Sequence, residues 1–374
     1  MRTLHRRALA LIVFPVLVLP ALLAGCSSRN TVIGPVLTGA NRAFVLTTDF
    51  STGALSVIDL DTRQVATSVA SVHSDAALRV HGSLIYVINR FGQDNIQIID
   101  PARNYATVQQ FSTGNGSNPQ DIAIVTSTKA YVSRYGSADL MVVNLFTGFQ
   151  GNNISLAAFA DGDGLPEMAH MALVGPYLFV ACQRLTNFLA TNPSTVAVID
   201  TRTNTVVDVD PGAPGLQGIP LVGRDPITDF VYDSATQTLL IGCVGSYGVL
   251  DGGIERINPA TFQSLGFVIT EAALGGDVGD IAWNGPDHSY AVVSDASSNT
   301  SVVAWSVVTS AVLDTVYAPG GFSIPDCEVN DRGELYVCDN RFTAPGVRIF
   351  RTGADTLLAG PLDTGLPPSQ IAFR

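Results

Sequence analysis

Seven polar residues recur along this chain at a nearly even spacing. Asp75, Asp121, His170, Asp229, Asp280, Asp326 and Gln370 follow one another at intervals of 46, 49, 59, 51, 46 and 44 residues. Five carboxylates and an imidazole gathered at one place could hold a hard cation, or the cationic and polar groups of a ligand. The same spacing serves a plainer purpose if each side chain accepts a backbone N–H from the next repeat and locks the junction. A second set pairs arginine with an aromatic ring. Asn89-Arg90-Phe91 recurs as Asn340-Arg341-Phe342, with Ser133-Arg134-Tyr135 and Gln183-Arg184 as looser copies. Guanidinium beside an aromatic ring offers bidentate hydrogen bonding and a stacking surface, which suits anionic or planar ligands. Equally, each arginine can bridge to the acidic set or to a neighbouring repeat. A third motif, Asp161-Gly-Asp-Gly164, can contribute to a calcium site, although it lacks the full spacing of a calcium loop.

Cysteine and histidine serve mainly to exclude. Cys182, Cys243 and Cys338 take similar places in their strands and read as small core residues. Cys327 and Cys338 flank one tight hairpin and could pair in an oxidising compartment. The absence of Cys-x-x-Cys-His excludes c-type haem attachment. His73, His81, His170 and His288 are scattered, which argues against a multi-histidine copper or zinc centre. Neither a Gly-x-Ser-x-Gly elbow nor a Ser-x-Asp-x-Gly-x-Thr-Trp box occurs. Thus no cofactor is expected, calcium at the Asp161 loop being the one cation admitted.

The composition bounds what can position these residues. Of 374 residues, 47% are hydrophobic and only 14% charged, with 35 glycines, 20 prolines and a single lysine, Lys129. Disorder needs the opposite balance. A net charge of −12 leaves little material for the basic face of a nucleic-acid binder.

The first residues read as an address. Three arginines lie in residues 1–7, and residues 8–24 are almost purely apolar, broken by Pro15 and Pro20. A small-residue site follows, as in a secretory signal. Leu23-Ala24-Gly25-Cys26 resembles the lipobox of bacterial lipoproteins. That resemblance implies cleavage after residue 25 and acylation of the Cys26 thiol, hence a stable membrane anchor. An ordinary signal peptide or an N-terminal membrane anchor remains the alternative. Ser27, rather than Asp, implies the outer membrane or cell surface in an organism with two membranes. Residues 26–41 form the lipidated cysteine and a tether that reaches at most roughly 50 Å. Loss of Arg2, Arg6 and Arg7 takes the charge from −12 to about −15.

Residues 42–374 repeat seven times. The unit is plainest in residues 83–100, SLIYVINRFGQDNIQIID, which reads as strand, polar turn and strand. The corresponding strands end at Asp59, Asp100, Asn144, Asp200, Asn258, Ser306 and Arg351, a mean period of about 49 residues. Each unit has room for four short strands rich in Val, Ile, Tyr and Phe, and no sustained helical period interrupts them. Four-stranded units at this period predict an all-β, seven-bladed β-propeller of four-stranded blades. The first unit lacks an inner strand and residues 368–374, PSQIAFR, supply one, so the ring is expected to close on the C-terminal strand. The Tyr-Val…Val-Ile-Asp frame resembles the YVTN repeat of YncE-like and surface-layer propellers over about residues 42–374.

Antiparallel order within a blade sorts the connections by face. The turns from first to second and third to fourth strand are short. The long segments, 157–168, 184–194, 209–226, 245–253 and 270–279, all fall on the other face, as do the acidic set and the arginines. Binding is elaborated where loops lengthen. The expectation is therefore a monomeric, non-enzymatic, lipid-anchored propeller of the cell envelope that binds a small molecule or a partner protein through its long-loop face. The resemblance to YVTN-type surface lipoproteins implies one alternative, nutrient capture, with a cobamide as the type of cargo, alongside an outer-membrane transporter. A propeller enzyme of the lactonase or quinoprotein kind is the other. For that enzyme only the acidic set could serve.

Overall fold

The computed structural model describes residues 41–374; the expected signal peptide, Cys26 and most of the tether lie outside them. Seven antiparallel sheets follow one another around a central channel. In blade 2 the strands run Ala76–His81, Leu84–Asn89, Asn95–Asp100 and Ala106–Ser112 from the channel outward. The other blades repeat this order, and blade 4 adds the short strand Ile219–Pro220 against Thr195–Asp200. The C-terminal strand Pro368–Phe373 pairs with Arg42–Thr48 as the inner strand of blade 1, so the ring closes with strands from both ends of the repeat region. Closure leaves no open edge between first and last blade.

The second strand of each blade is nearly continuously apolar, as in Tyr177–Cys182 and Thr238–Cys243. Each such strand is buried on both faces because each blade packs against two neighbours, which removes the usual in–out alternation. The core is accordingly seven wedges between blades. One joins Phe44 and Leu55 of blade 1 to Leu78 and Val87 of blade 2. Another joins Ala43 and Ile58 to Tyr336 and Ile349 of blade 7, with Ile371 of the closing strand.

Tyrosines of the second strands, Tyr131 and Tyr336 of the Tyr-Val motif and Tyr290 of Tyr290-Ala291, join blades on the short-turn face. The Tyr131 hydroxyl donates to Asn204 Oδ1 in the next blade at 2.5 Å, and that of Tyr290 to Asp355 Oδ1 at 2.7 Å. Tyr336 of blade 7 takes Arg63 of blade 1, which also pairs with Glu334. In blades 3 and 7 the motif tyrosine is thus spent on assembly.

All four described cysteines are buried thiols. Cys327 and Cys338 do not pair. Cys327 stands opposite Val337 and Cys338 opposite Asp326, so adjacent register places their side chains on opposite faces of the sheet. They enter different wedges accordingly.

Candidate functional site

The recurring acidic set is mostly structural, and one of its members is out of register. Gln370 Oε1 accepts from Leu78 N at 2.7 Å, Asp121 Oδ2 from Met171 N at 2.8 Å, Asp280 Oδ2 from Cys327 N at 2.9 Å and Asp326 Oδ2 from Ile371 N at 3.0 Å. Each bond ties one blade to the next. In blade 2 that register position belongs to Ala77, just before Leu78. Asp75 lies two residues earlier and pairs with Arg90, 2.8 Å from Arg90 Nε. Blade lengths vary enough that spacing alone does not separate the two positions.

Arg79, on the inner strand of blade 2, crosses the channel. It donates to Asp121 Oδ1 at 2.7 Å and to both oxygens of Asp229 on blade 5 at 2.5 Å. His170 Nδ1 lies 2.5 Å from Asp229 Oδ1. Burial alone would raise the Asp229 carboxyl, but Arg79 and His170 hold it well below the usual range. On the far side the carboxylates lack such a cation. Burial pushes Asp280 up to about 6, against the Cys327 N–H and helped by the Asp229 charge. Asp326 and Glu328 are raised well above the ordinary range by burial and by their acidic neighbours. A chamber of about 590 Å³ below Arg79 opens on the short-turn face, and one of about 390 Å³ above it faces the long loops. The upper half of the channel is therefore a clasp of blades, stitched by one arginine.

The arginine motifs separate into different uses. Arg134 is buried; it donates to Asp139 O from Nε and Nη2, and to Thr113 O at 3.0 Å, which ties its own turn to blade 2. Arg184 donates to Pro193 O and closes the 184–194 loop. Arg341 is held by Asp339 and the Tyr317 hydroxyl, and its neighbour Phe342 is fully exposed on blade 7. Phe91 is exposed as well. Of this set, Arg90 and Tyr135 line one shared cavity.

That cavity, about 450 Å³, lies on the long-loop face over blades 2 to 5. Asp75, His170 and Arg90 meet there with Asn118, Gln120, Tyr135, Gln183, Phe188, Asp225 and Tyr247. Three of the long segments contribute: 184–194 gives Phe188, 209–226 gives Asp225 and 245–253 gives Tyr247. Asp225 is 5% exposed and Gln183 8%, and Gln183 Nε2 donates to Asp225 Oδ1 at 2.7 Å. Burial pushes the Asp225 carboxyl up to about 6, against that hydrogen bond. Phe188 and Asp225 hold φ of 64° and 53°, left-handed conformations that a bulky side chain such as Phe rarely adopts and that cluster at functional positions. Tyr135 and Phe188 lie parallel with ring centroids 6.4 Å apart.

Asp225, Phe188 and Tyr247 are not marked by the sequence motifs. A usable signal does exist. Every second-to-third-strand connection except that of blade 6 carries an aromatic residue: Phe50, Phe91, Tyr135, Phe188, Tyr247 and Phe342. Five of these six are strongly exposed.

The Asp161-Gly-Asp-Gly164 loop borders this region. Carboxylate oxygens of Asp161, Asp163 and Glu167 approach within 4.8 Å of one another, a donor set that suits a hard cation. Glu167 is buried and pushed up to about 7, by desolvation and by the Asp163 charge.

No family model matches the chain, and no curated protein matches its sequence. The YVTN frame therefore stands as a resemblance, while the seven-bladed propeller is the class that the fold defines. Solved structures share that fold. A Bacteroides fragilis protein described as a candidate 6-phosphogluconolactonase superposes with a TM-score of 0.61 at 14% identity, over 91% of this chain and 99% of its own. The dihydro-heme d1 dehydrogenase NirN gives 0.56 at 14% identity, over 95% and 79%. Apo AztD from Citrobacter koseri gives 0.55 at 13% identity, over 90% and 98%. At such identities the likeness shows the fold alone.

Proposed function

We propose that this chain is a lipid-anchored propeller of the cell envelope that binds a ligand in the cavity of its long-loop face and performs no reaction on it. The observation that carries this reading is the construction of that cavity. Inserted loops from blades 4 and 5 bring exposed aromatic rings over buried polar side chains, whereas Asp121, Asp280 and Asp326 in the channel are committed to joining blades. In this reading Cys26 carries the lipid and the propeller acts as a monomer. The resemblance to YVTN-type lipoproteins supports capture of a nutrient beside an outer-membrane transporter as the setting. Incorporation of labelled palmitate, lost in Cys26→Ala, checks the anchor.

A thermal-shift panel of metals, cobamides, sugars and lactones tests the binding. Stabilisation by one compound class without turnover is expected. Lactone hydrolysis by the purified chain, lost in Asp280→Ala, would overturn the reading in favour of an enzyme.

A further inference from the structure

The floor of the long-loop cavity is built to accept hydrogen bonds. Asp225 and Gln183 are each more than nine-tenths buried, and their mutual bond uses Gln183 Nε2 and Asp225 Oδ1. This leaves Gln183 Oε1 and Asp225 Oδ2 without a protein donor, and neither atom is among the sealed, unpartnered ones. Buried oxygens of this kind cost free energy unless water or a ligand donor meets them. At the side, Arg90 is fixed by Asp75 and presents a half-exposed guanidinium. Above stand flat apolar surfaces. Phe188 is 81% exposed and parallel to Tyr135, and Tyr247 is 70% exposed across the opening.

A ligand that satisfies this set must donate several hydrogen bonds on one side, accept from a guanidinium at its rim, and offer a flat apolar face to aromatic rings. A saccharide ring does all three: hydroxyls both donate and accept, and one face of the ring is lined by C–H groups. We infer that the cavity between Tyr135, Phe188 and Tyr247 binds a saccharide, with hydroxyls on Asp225 and Gln183 and its C–H face on the aromatic rings. Its volume, about 450 Å³, lies in the range of small-ligand sites. The Gln183–Asp225 bond holds the floor in place before a ligand arrives. This inference rests on the proposed binding role of the same cavity.

The test is a glycan array of neutral and acidic oligosaccharides probed with the purified chain, followed by calorimetry with the best-bound member. Binding is expected to weaken at least tenfold in Phe188→Ala, whose exposed side chain carries little of the fold, and in Asp225→Asn. Melting curves of both variants report their folding. Retention of full affinity in folded Phe188→Ala and Tyr247→Ala would overturn the assignment of the sugar to this cavity. Failure of every saccharide, together with binding of a cobamide or an amine that Phe188→Ala weakens, would overturn the saccharide and leave the binding role standing. Failure of every saccharide and of every other panel compound would overturn both.

Discussion

Arg79 does at the channel what four separate residues do elsewhere. The register position of blade 2 holds Ala77, which cannot accept the N–H of the next blade. The side chain two residues later spans the channel instead and neutralises Asp121 and Asp229. Cutting it back leaves the Asp121 and Asp229 carboxylates without their shared cation, and removal of one partner from such a set costs more than the set contributes. Arg79→Ala should therefore lose about 3 kcal/mol in urea unfolding at pH 7. The deficit should shrink in acid, because the Asp229 carboxylate is no longer held low by Arg79 in the variant and takes up a proton more readily than in the natural chain. An unchanged unfolding midpoint would show that the clasp carries no stability. The acidic set was legible as one position per blade, and its use in joining blades was the plainer of two readings. Arg79 was not legible, because nothing in local sequence distinguishes a strand arginine that faces a channel from one that faces solvent.

At the scale of the strand, the terminal segment 368–374 is the most exposed to test. It supplies the inner strand of blade 1, the Gln370 bond to Leu78 and the Ile371 contribution to the last wedge. Deleting it leaves Arg42–Thr48 as an unpaired edge beside an open wedge. The melting temperature should fall by about 10 °C or more, and the chain should self-associate in light scattering. A monodisperse chain of unchanged melting temperature would contradict the closed ring. Its role was legible because the first repeat lacked one strand and the last segment matched it. Asp75 was placed wrongly for the converse reason: repeats of 41 to 58 residues do not fix register to within two positions. Only pairing of Ala77 with Ile88 and Leu78 with Val87 does so. Likewise, the two cysteines flank one hairpin but lie on opposite faces of the sheet.

Across the whole molecule, acidic balance becomes a pH dependence. Burial lifts Glu167 and Glu271 to about 7, and Asp225 and Asp280 to about 6. Between roughly pH 4 and 7 the folded chain binds more protons than the unfolded one, so stability falls as pH rises through that window. Groups held low, among them Asp229, Asp59 and Asp295, act in the opposite sense and withdraw stability only as pH falls below the ordinary carboxylate range. The melting temperature should peak near pH 4 and decline by several degrees by pH 8; a steady rise from pH 5 to 8 would contradict these shifts. The seven-fold plan and the division into a tight and an elaborated face were legible from turn lengths. The cavity was not, because its floor and walls come from blades that lie far apart in the chain.

The central claim is that binding resides on the long-loop face. It is tested by running one thermal-shift panel of metals, cobamides, saccharides and lactones on three chains: the natural one, Phe188→Ser/Tyr247→Ser, and Phe146→Ser/Phe149→Ser. The last pair lies in the third-to-fourth-strand turn of blade 3, away from that face, and its rings are equally exposed. The account predicts a stabilising compound whose shift disappears in the Phe188/Tyr247 chain and persists in the Phe146/Phe149 chain. A shift that survives in the Phe188/Tyr247 chain and is lost in the other would contradict it.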